Sequence, residues 1–190
     1  MAYELYRFAH PLFARSVDFP SEGLKARHLM FETCSVAHAV SLTRAWHSRL
    51  PNTQSGPWRF AFRMHYADMT FAVALWNNPS ARTLPQQWLE LRRMACAPDA
   101  PRYTASRFLG YMVRWLRSSA PELERCISYQ DTAVHNGTIY KAANWHVGSV
   151  AKARIRDRSR NRVGTRRAYR SDMNGISPAG SEKVRWEIEL

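Results

Sequence analysis

The stretch from Trp88 to Tyr140 constrains the fold of this chain more than any other. Trp88-Leu-Glu-Leu-Arg-Arg-Met-Ala-Cys96 reads as a central strand, and Ala97-Pro-Asp-Ala-Pro101 turns it. Thr104 or Ser106 is placed to cap a helix whose apolar stripe is Phe108, Leu109, Met112, Val113 and Leu116, with Arg107, Arg114 and Arg117 outside it. Cys126-Ile-Ser-Tyr-Gln130 reads as another short strand, and Ile139 to Trp145 as a short helix stopped near Gly148. Strand, turn, helix, strand and helix in this order predict an α/β or α+β fold, a central sheet flanked by helices.

The flanking segments extend this pattern. Val36, Ala39, Val40, Thr43, Trp46 and Leu50 recur at helical spacing, so a helix is expected at about 35–49, capped by Thr33 or Ser35 and stopped by Pro51. Trp58–Tyr66 and Thr70–Trp76 read as a hairpin around Ala67-Asp68-Met69. Tyr3–Phe8 is strand-like, and Lys183–Leu190 alternates as a final strand. Between them, Ala151, Ala153 and Ile155 alternate with Lys152, Arg154, Arg156, Arg158 and Arg160, which predicts a strand with one apolar and one basic face. Asn161–Pro178 lacks apolar partners and reads as a loop. With no internal repeat, the 190 residues suit one domain carrying this basic strand and loop at about 150–178.

Charge narrows the partner. Lys and Arg number 28 against 15 Asp and Glu, a formal net charge of +13. Lys152–Arg170 alone holds nine basic residues and one acid, Asp157. Such asymmetry points to a polyanion. Basic residues every second position advance about 6.6 Å, close to the phosphate spacing of a DNA strand, so Lys152, Arg154, Arg156, Arg158 and Arg160 are the expected nucleic-acid contacts. The bland reading is a basic protein with a solvated arm. Cys34, Cys96 and Cys126 are odd in number and form no CxxC pair, which fits free thiols in a reducing cytoplasm. No run is apolar for the roughly 18 residues a membrane span needs, and Met1–Arg7 carries no secretion signal, so no membrane partner is expected.

Two constellations carry chemistry. The start of the helix near Ser106 offers backbone N–H groups to a phosphate, with Arg102 and Arg107 as countercharge, although neither a Walker loop nor GxGxxG is present. An ordinary capped helix is the alternative reading. Asp131 falls just past a strand end, and Tyr140 and Asn144 are four apart, on one helical face. Asp131 can accept a proton and Tyr140 can donate one, against the alternative of a turn-forming Asp and a packed Tyr. His38, His65 and His135 show no ligand spacing with Asp131, so no metal is assigned.

Six pieces in register, Trp46-His47-Ser48-Arg49, Ala74-Leu-Trp-Asn-Asn-Pro79, Leu89-Glu-Leu-Arg-Arg-Met-Ala95, Ala105-Ser-Arg-Phe-Leu-Gly110, Ser128-Tyr-Gln-Asp131 and Gly137-Thr-Ile-Tyr-Lys-Ala-Ala-Asn-Trp145, resemble the Mom DNA-modification proteins of bacteriophages. Those are a branch of the GNAT acyltransferase superfamily. The resemblance covers about residues 36–160. It implies a GNAT-like mixed sheet splayed between the strands at about 88–96 and 125–130. It also implies an acetyl-CoA or related acyl-CoA donor, and transfer of an acyl-type (methylcarbamoyl) group to the N6 amine of adenine in double-stranded DNA. An adenine amine is a weak nucleophile and is paired inside the duplex, so the base must leave the stack, with Trp145, Trp76 or Tyr66 as stacking candidates. The resemblance makes Asp131, Tyr140 and His47 the catalytic candidates and Arg93, Arg102, Thr104, Ser106, Arg107 and Asn144 the donor-binding ones. The GNAT pyrophosphate loop Q/R-x-x-G-x-G/A is matched only by Arg102, since Ala100-Pro-Arg-Tyr-Thr-Ala-Ser106 has no glycine. Two alternatives remain open at this point: an N-acyltransferase acting on RNA, protein or a small amine, and a non-catalytic DNA-binding protein on the same scaffold.

Overall fold

The computed structural model describes residues 20, 23–47, 53, 54, 56–152 and 182–190. After a single 3-10 turn at Ala26–His28 the elements are β1 (Met30–Thr33), α1 (Val36–Trp46), β2 (Phe60–Tyr66), β3 (Met69–Asn77), β4 (Trp88–Cys96), α2 (Thr104–Ser119), β5 (Arg125–Asp131), α3 (Thr138–Ala142), β6 (His146–Ala151) and β7 (Lys183–Glu189). One seven-stranded sheet takes the order β1-β2-β3-β4-β5-β7-β6. The β4–β5 pair is parallel and every other pair antiparallel. The sheet is therefore mixed and the fold α+β, as expected.

Helices cover both faces. The predicted stripe of α2, Phe108, Leu109, Met112, Val113 and Leu116, is buried against Phe62, Trp76, Leu89 and Leu91, while Arg107, Arg114 and Arg117 stay exposed. Trp76 Nε1 donates to Met112 Sδ at 3.0 Å, satisfying a fully buried indole. On the opposite face Ala39 and Val40 of α1 pack on Ala61, Val73, Leu75 and Ala95. Strand β3, covered on both sides, is buried from Thr70 to Trp76, which is why it reads as a near-continuous apolar run.

The far end of the sheet is fastened by a buried carboxylate. Glu187 of β7, 2% exposed, meets Arg125 and Arg185 at 2.7 Å each, and both guanidinium groups lie over the Trp88 ring. Gly148 in β6 leaves the room this needs, since a Cβ there would fall 1.8 Å from Glu187 Oε1.

Several expectations are corrected. α1 stops at Trp46, and the hairpin turns on Ala67-Asp68 because Met69 already belongs to β3. Neither Thr104 nor Ser106 caps α2. Tyr103 is the N-cap residue, in the left-handed region at φ 68°, and both hydroxyls instead donate backwards, Thr104 to Pro101 O and Ser106 to Tyr103 O. α3 ends at Ala142, and the following chain is already strand from His146. Tyr3–Phe8, the segment Arg154–Arg160 and the loop to Pro178 lie outside the described residues; Lys152, just beyond β6, is exposed.

Candidate active site: two clefts on either side of a short helix

β4 and β5 pair only through Trp88–Leu91 against Arg125–Ser128. The cause is visible one strand away. Leu75 of β3 opposes Arg93 while Trp76 opposes Leu91, so Arg92 is an extra residue in β4. A bulge of this kind bends its strand and increases its twist. Beyond it, Arg92–Cys96 carries no ladder to β5, and the expected splay is present. The edge this leaves on β4 presents backbone groups able to pair with an extended ligand.

Two clefts flank the splay, with α3 as the wall between them. The larger, about 1310 Å³, runs between α2 and the segment after α3; Arg27, Arg102, Tyr103, Arg107, Arg114, Arg117 and Asn144 are among its lining residues. Tyr103, 72% exposed, has Arg102 over its ring, and Arg107 donates to Tyr111 OH at 2.9 Å. No side chain caps the first turn of α2; its Thr104 N–H donates to Pro101 O at 3.2 Å, and the next two, of Ala105 and Ser106, are offered to a ligand. The smaller cleft, about 340 Å³, is lined by His47, Leu91–Met94, Ser128–Gln130 and His135–Tyr140. α3 thus gives Thr138, Ile139 and Tyr140 to one cleft, and the residues from Ala142 to Asn144 line the other.

Tyr140 is the most constrained of these groups. Its ring stacks on Trp186 at 5.4 Å and meets Trp145 edge-on at 5.7 Å. Its hydroxyl lies 2.8 Å from Ser128 Oγ, which is in turn 3.3 Å from Leu91 O in the opposite arm of the splay. Burial pushes the Tyr140 phenol above its ordinary value, and the Ser128 hydrogen bond offsets this in part. The phenol therefore stays protonated through the neutral range. Gly137 makes the placement possible: its φ is +75°, and a Cβ would fall 2.5 Å from Trp186 Cζ2 and 2.6 Å from Gln130 Oε1.

The other expected residues divide. His47, at the C-cap of α1, and Arg93, after the bulge, line the smaller cleft with Tyr140. Arg102, Ser106, Arg107 and Asn144 line the larger one. Tyr140 and Asn144 do not share a face, because the chain leaves the helix after Ala142 and Asn144 is left-handed at φ 61°. Thr104 is buried under its bond to Pro101 O and reaches neither cleft. Asp131 also lines neither: its Oδ1 accepts from Ala133 N–H at 3.1 Å and closes the turn after β5. Trp76 and Trp145 are core residues, 0% and 4% exposed, so neither can stack on a base. Arg154, Arg156, Arg158 and Arg160 lie outside the described residues. Among the described residues no cluster of side chains that could hold a metal occurs. Sequence reasoning gave no role to Ser128, Tyr103, Arg114 or Arg117. Period two in β5 sends Ser128 and Gln130 to the α3 side, a signal that was available.

Solved acetyltransferases share this architecture. An IAA acetyltransferase of Bacillus cereus superposes with a TM-score of 0.54 at 12% identity, over 85% of this chain and 99% of that one. A Bacillus subtilis acetyltransferase in complex with CoA gives 0.55 at 9%, over 85% and 99%. The ribosomal-protein-S18-alanine N-acetyltransferase of Escherichia coli gives 0.51 at 9%, over 85% and 94%. The fold is that of the GNAT acetyltransferases. No curated protein matches the sequence. Residues 28–183, most of the chain and of the site just described, match the Mom protein family, and the chain belongs to it.

Proposed function

We propose that this protein transfers an acyl-type group, methylcarbamoyl in the sense its family resemblance implies, from an acyl-CoA donor to the N6 amine of adenine in DNA. The observation that carries the proposal is the buried, protonated Tyr140 hydroxyl in the smaller cleft, on a helix whose far end lines a second, strongly basic cleft. The larger cleft suits the donor. Arg102, Arg107, Arg114 and Arg117 answer phosphate charge, and the first turn of α2 offers the Ala105 and Ser106 backbone donors. A bound acyl-CoA would supply the electrophilic thioester carbonyl.

The chain's own groups handle the protons. His47, in the wall of the smaller cleft, takes the proton that the amine loses as its nitrogen bonds to the carbonyl carbon. Tyr140 gives its proton to the departing sulfur. Ser128 has one hydroxyl proton and two acceptors in reach, Leu91 O and Tyr140 Oη, so it can turn toward the phenolate as that forms. Asp131 has its place in the turn that carries His135 and Asn136 to the cleft rather than on the amine. Double-stranded DNA is the proposed partner, its backbone followed by Lys152, Arg154, Arg156, Arg158 and Arg160.

Nucleoside mass analysis of plasmid DNA from cells expressing the chain tests this reading. A modified deoxyadenosine is expected with the native chain and not with Tyr140→Phe. Unmodified DNA from cells holding the folded native protein would overturn it.

A further inference from the structure

Among the described residues, the exposed large aromatic side chains are Tyr103 and Tyr129, one in each cleft. Tyr103 has Arg102 over its ring, whereas no ring or cation contact is recorded for Tyr129 among the described residues. Tyr129 is 42% exposed, and strand alternation sets it on the opposite side of β5 from Ser128, whose hydroxyl meets Tyr140. It nonetheless lines the smaller cleft from a rigid strand, reaching it from the sheet face opposite the Tyr140–Ser128 pair. An exposed aromatic ring held by a strand beside a reacting centre is a platform for a flat ligand.

Asn136 forms another part of the same cleft, and its amide is already oriented. Its Oδ1 accepts from Thr138 N–H at 3.3 Å and from Thr138 Oγ1 at 2.7 Å. Both partners are donors, so the oxygen is committed to the start of α3 and the NH₂ group is left to donate elsewhere.

We propose that the smaller cleft is a slot for an unpaired adenine, in which Tyr129 stacks on the ring and the Asn136 amide donates to the ring nitrogen beside the amine. The proposal rests on adenine in DNA being the acceptor and adds how the base is held and distinguished. In adenine, N1 next to the N6 amine is an acceptor. In guanine, thymine and hypoxanthine the corresponding nitrogen carries a hydrogen, so the Asn136 donor would face a donor. Cytosine shares adenine's donor–acceptor pattern, and the larger stacking area of a purine on Tyr129 separates the two. At about 340 Å³ the cleft is within the range of small-molecule sites.

The test needs no donor and no catalysis. Binding of the full chain to single-stranded thymidine oligomers with one central adenine, one central inosine, or neither is followed by fluorescence anisotropy. The native protein is expected to prefer the adenine oligomer to both others, and the base–aromatic stack is expected to contribute about 5- to 150-fold to its binding. Tyr129→Ala should weaken binding of the adenine oligomer by about that factor, and Tyr129→Phe should restore it. Asn136→Asp keeps an oxygen for Thr138 N–H but replaces the donor with an acceptor. Its added charge lowers all affinities together, so the adenine-to-inosine ratio is what is read, and that ratio should invert. Binding of the adenine oligomer unmoved by Tyr129→Ala, or an adenine-to-inosine ratio unmoved by Asn136→Asp, overturns the slot. Binding without any adenine preference overturns the slot and leaves the DNA reading standing. No binding to any oligomer, single- or double-stranded, removes both.

Discussion

Alanine at Gly137 measures how tightly the wall between the clefts is built. Two costs fall on this substitution, and the structure lets them be separated. The first is conformational. At φ +75° any residue with a Cβ occupies the left-handed region, at a cost of about 1–2 kcal/mol. The second is steric: the new methyl would fall 2.5 Å from Trp186 Cζ2 and 2.6 Å from Gln130 Oε1, in a cluster where the Trp186 indole N–H already donates to that oxygen at 2.6 Å. Forcing an extra carbon into such packing costs about 1–3 kcal/mol. The expected loss is thus about 2–5 kcal/mol. Gly23 provides the control, because its φ is +79° but nothing lies within 4 Å of its ideal Cβ. Gly23→Ala should lose about 1–2 kcal/mol only. Urea denaturation followed by tryptophan fluorescence reads both, and the m-value reports whether unfolding remains two-state. Gly137→Ala should also slow transfer, since Trp186 carries the Tyr140 ring on its face. Equal stability losses in the two variants would refute the steric account of the wall.

Other substitutions probe the remaining parts. Tyr140→Phe should retain the fold and lose about 10²-fold in kcat, and the high-pH fall of the native rate, where the raised phenol finally ionises, should be absent from the variant; both are read from a pH–rate profile. Burial pushes Cys96 up to about 11 and Cys126 higher still, so at pH 8 neither should react with a thiol reagent until the chain unfolds, as quantified by labelling in native buffer and in urea. Because the folded values are raised, the stability these thiols contribute is complete below their unfolded value near 9. It is lost as pH rises through about 11, and denaturation midpoints should decline over that window. Arg154 and Arg156 replaced together by Gln should flatten the slope of log DNA affinity against log salt by up to about 2, for all sequences alike.

What the sequence made legible was whatever is buried on a regular period. β4 was expected at Trp88–Cys96 and runs over those residues, and the stripe of α2 is the buried set. β6 was not seen before Ala151 because all six of its residues are exposed, and an edge strand covered on neither face writes no alternation. The cap of α2 was misread because it depends on the left-handed backbone of Tyr103, which an aromatic residue does not announce. Tyr140 was found through its motif. Its partner Ser128 needed the register of β5 against β4, and the bulge at Arg92 that opens the splay is a property of pairing, invisible in one strand alone. Asp131 was a fair candidate by position, and its local bond to Ala133 is seen only in three dimensions.

The partition made by α3 also bears on kinetic order. With the two reactants reached from separate openings, neither needs to leave before the other arrives. None of the cysteines lines either cleft, so no thiol is placed to carry the group between them. Transfer should then pass directly from one bound reactant to the other. Double-reciprocal plots at several fixed donor concentrations should intersect rather than run parallel, and protein incubated with labelled donor alone should emerge from gel filtration without label.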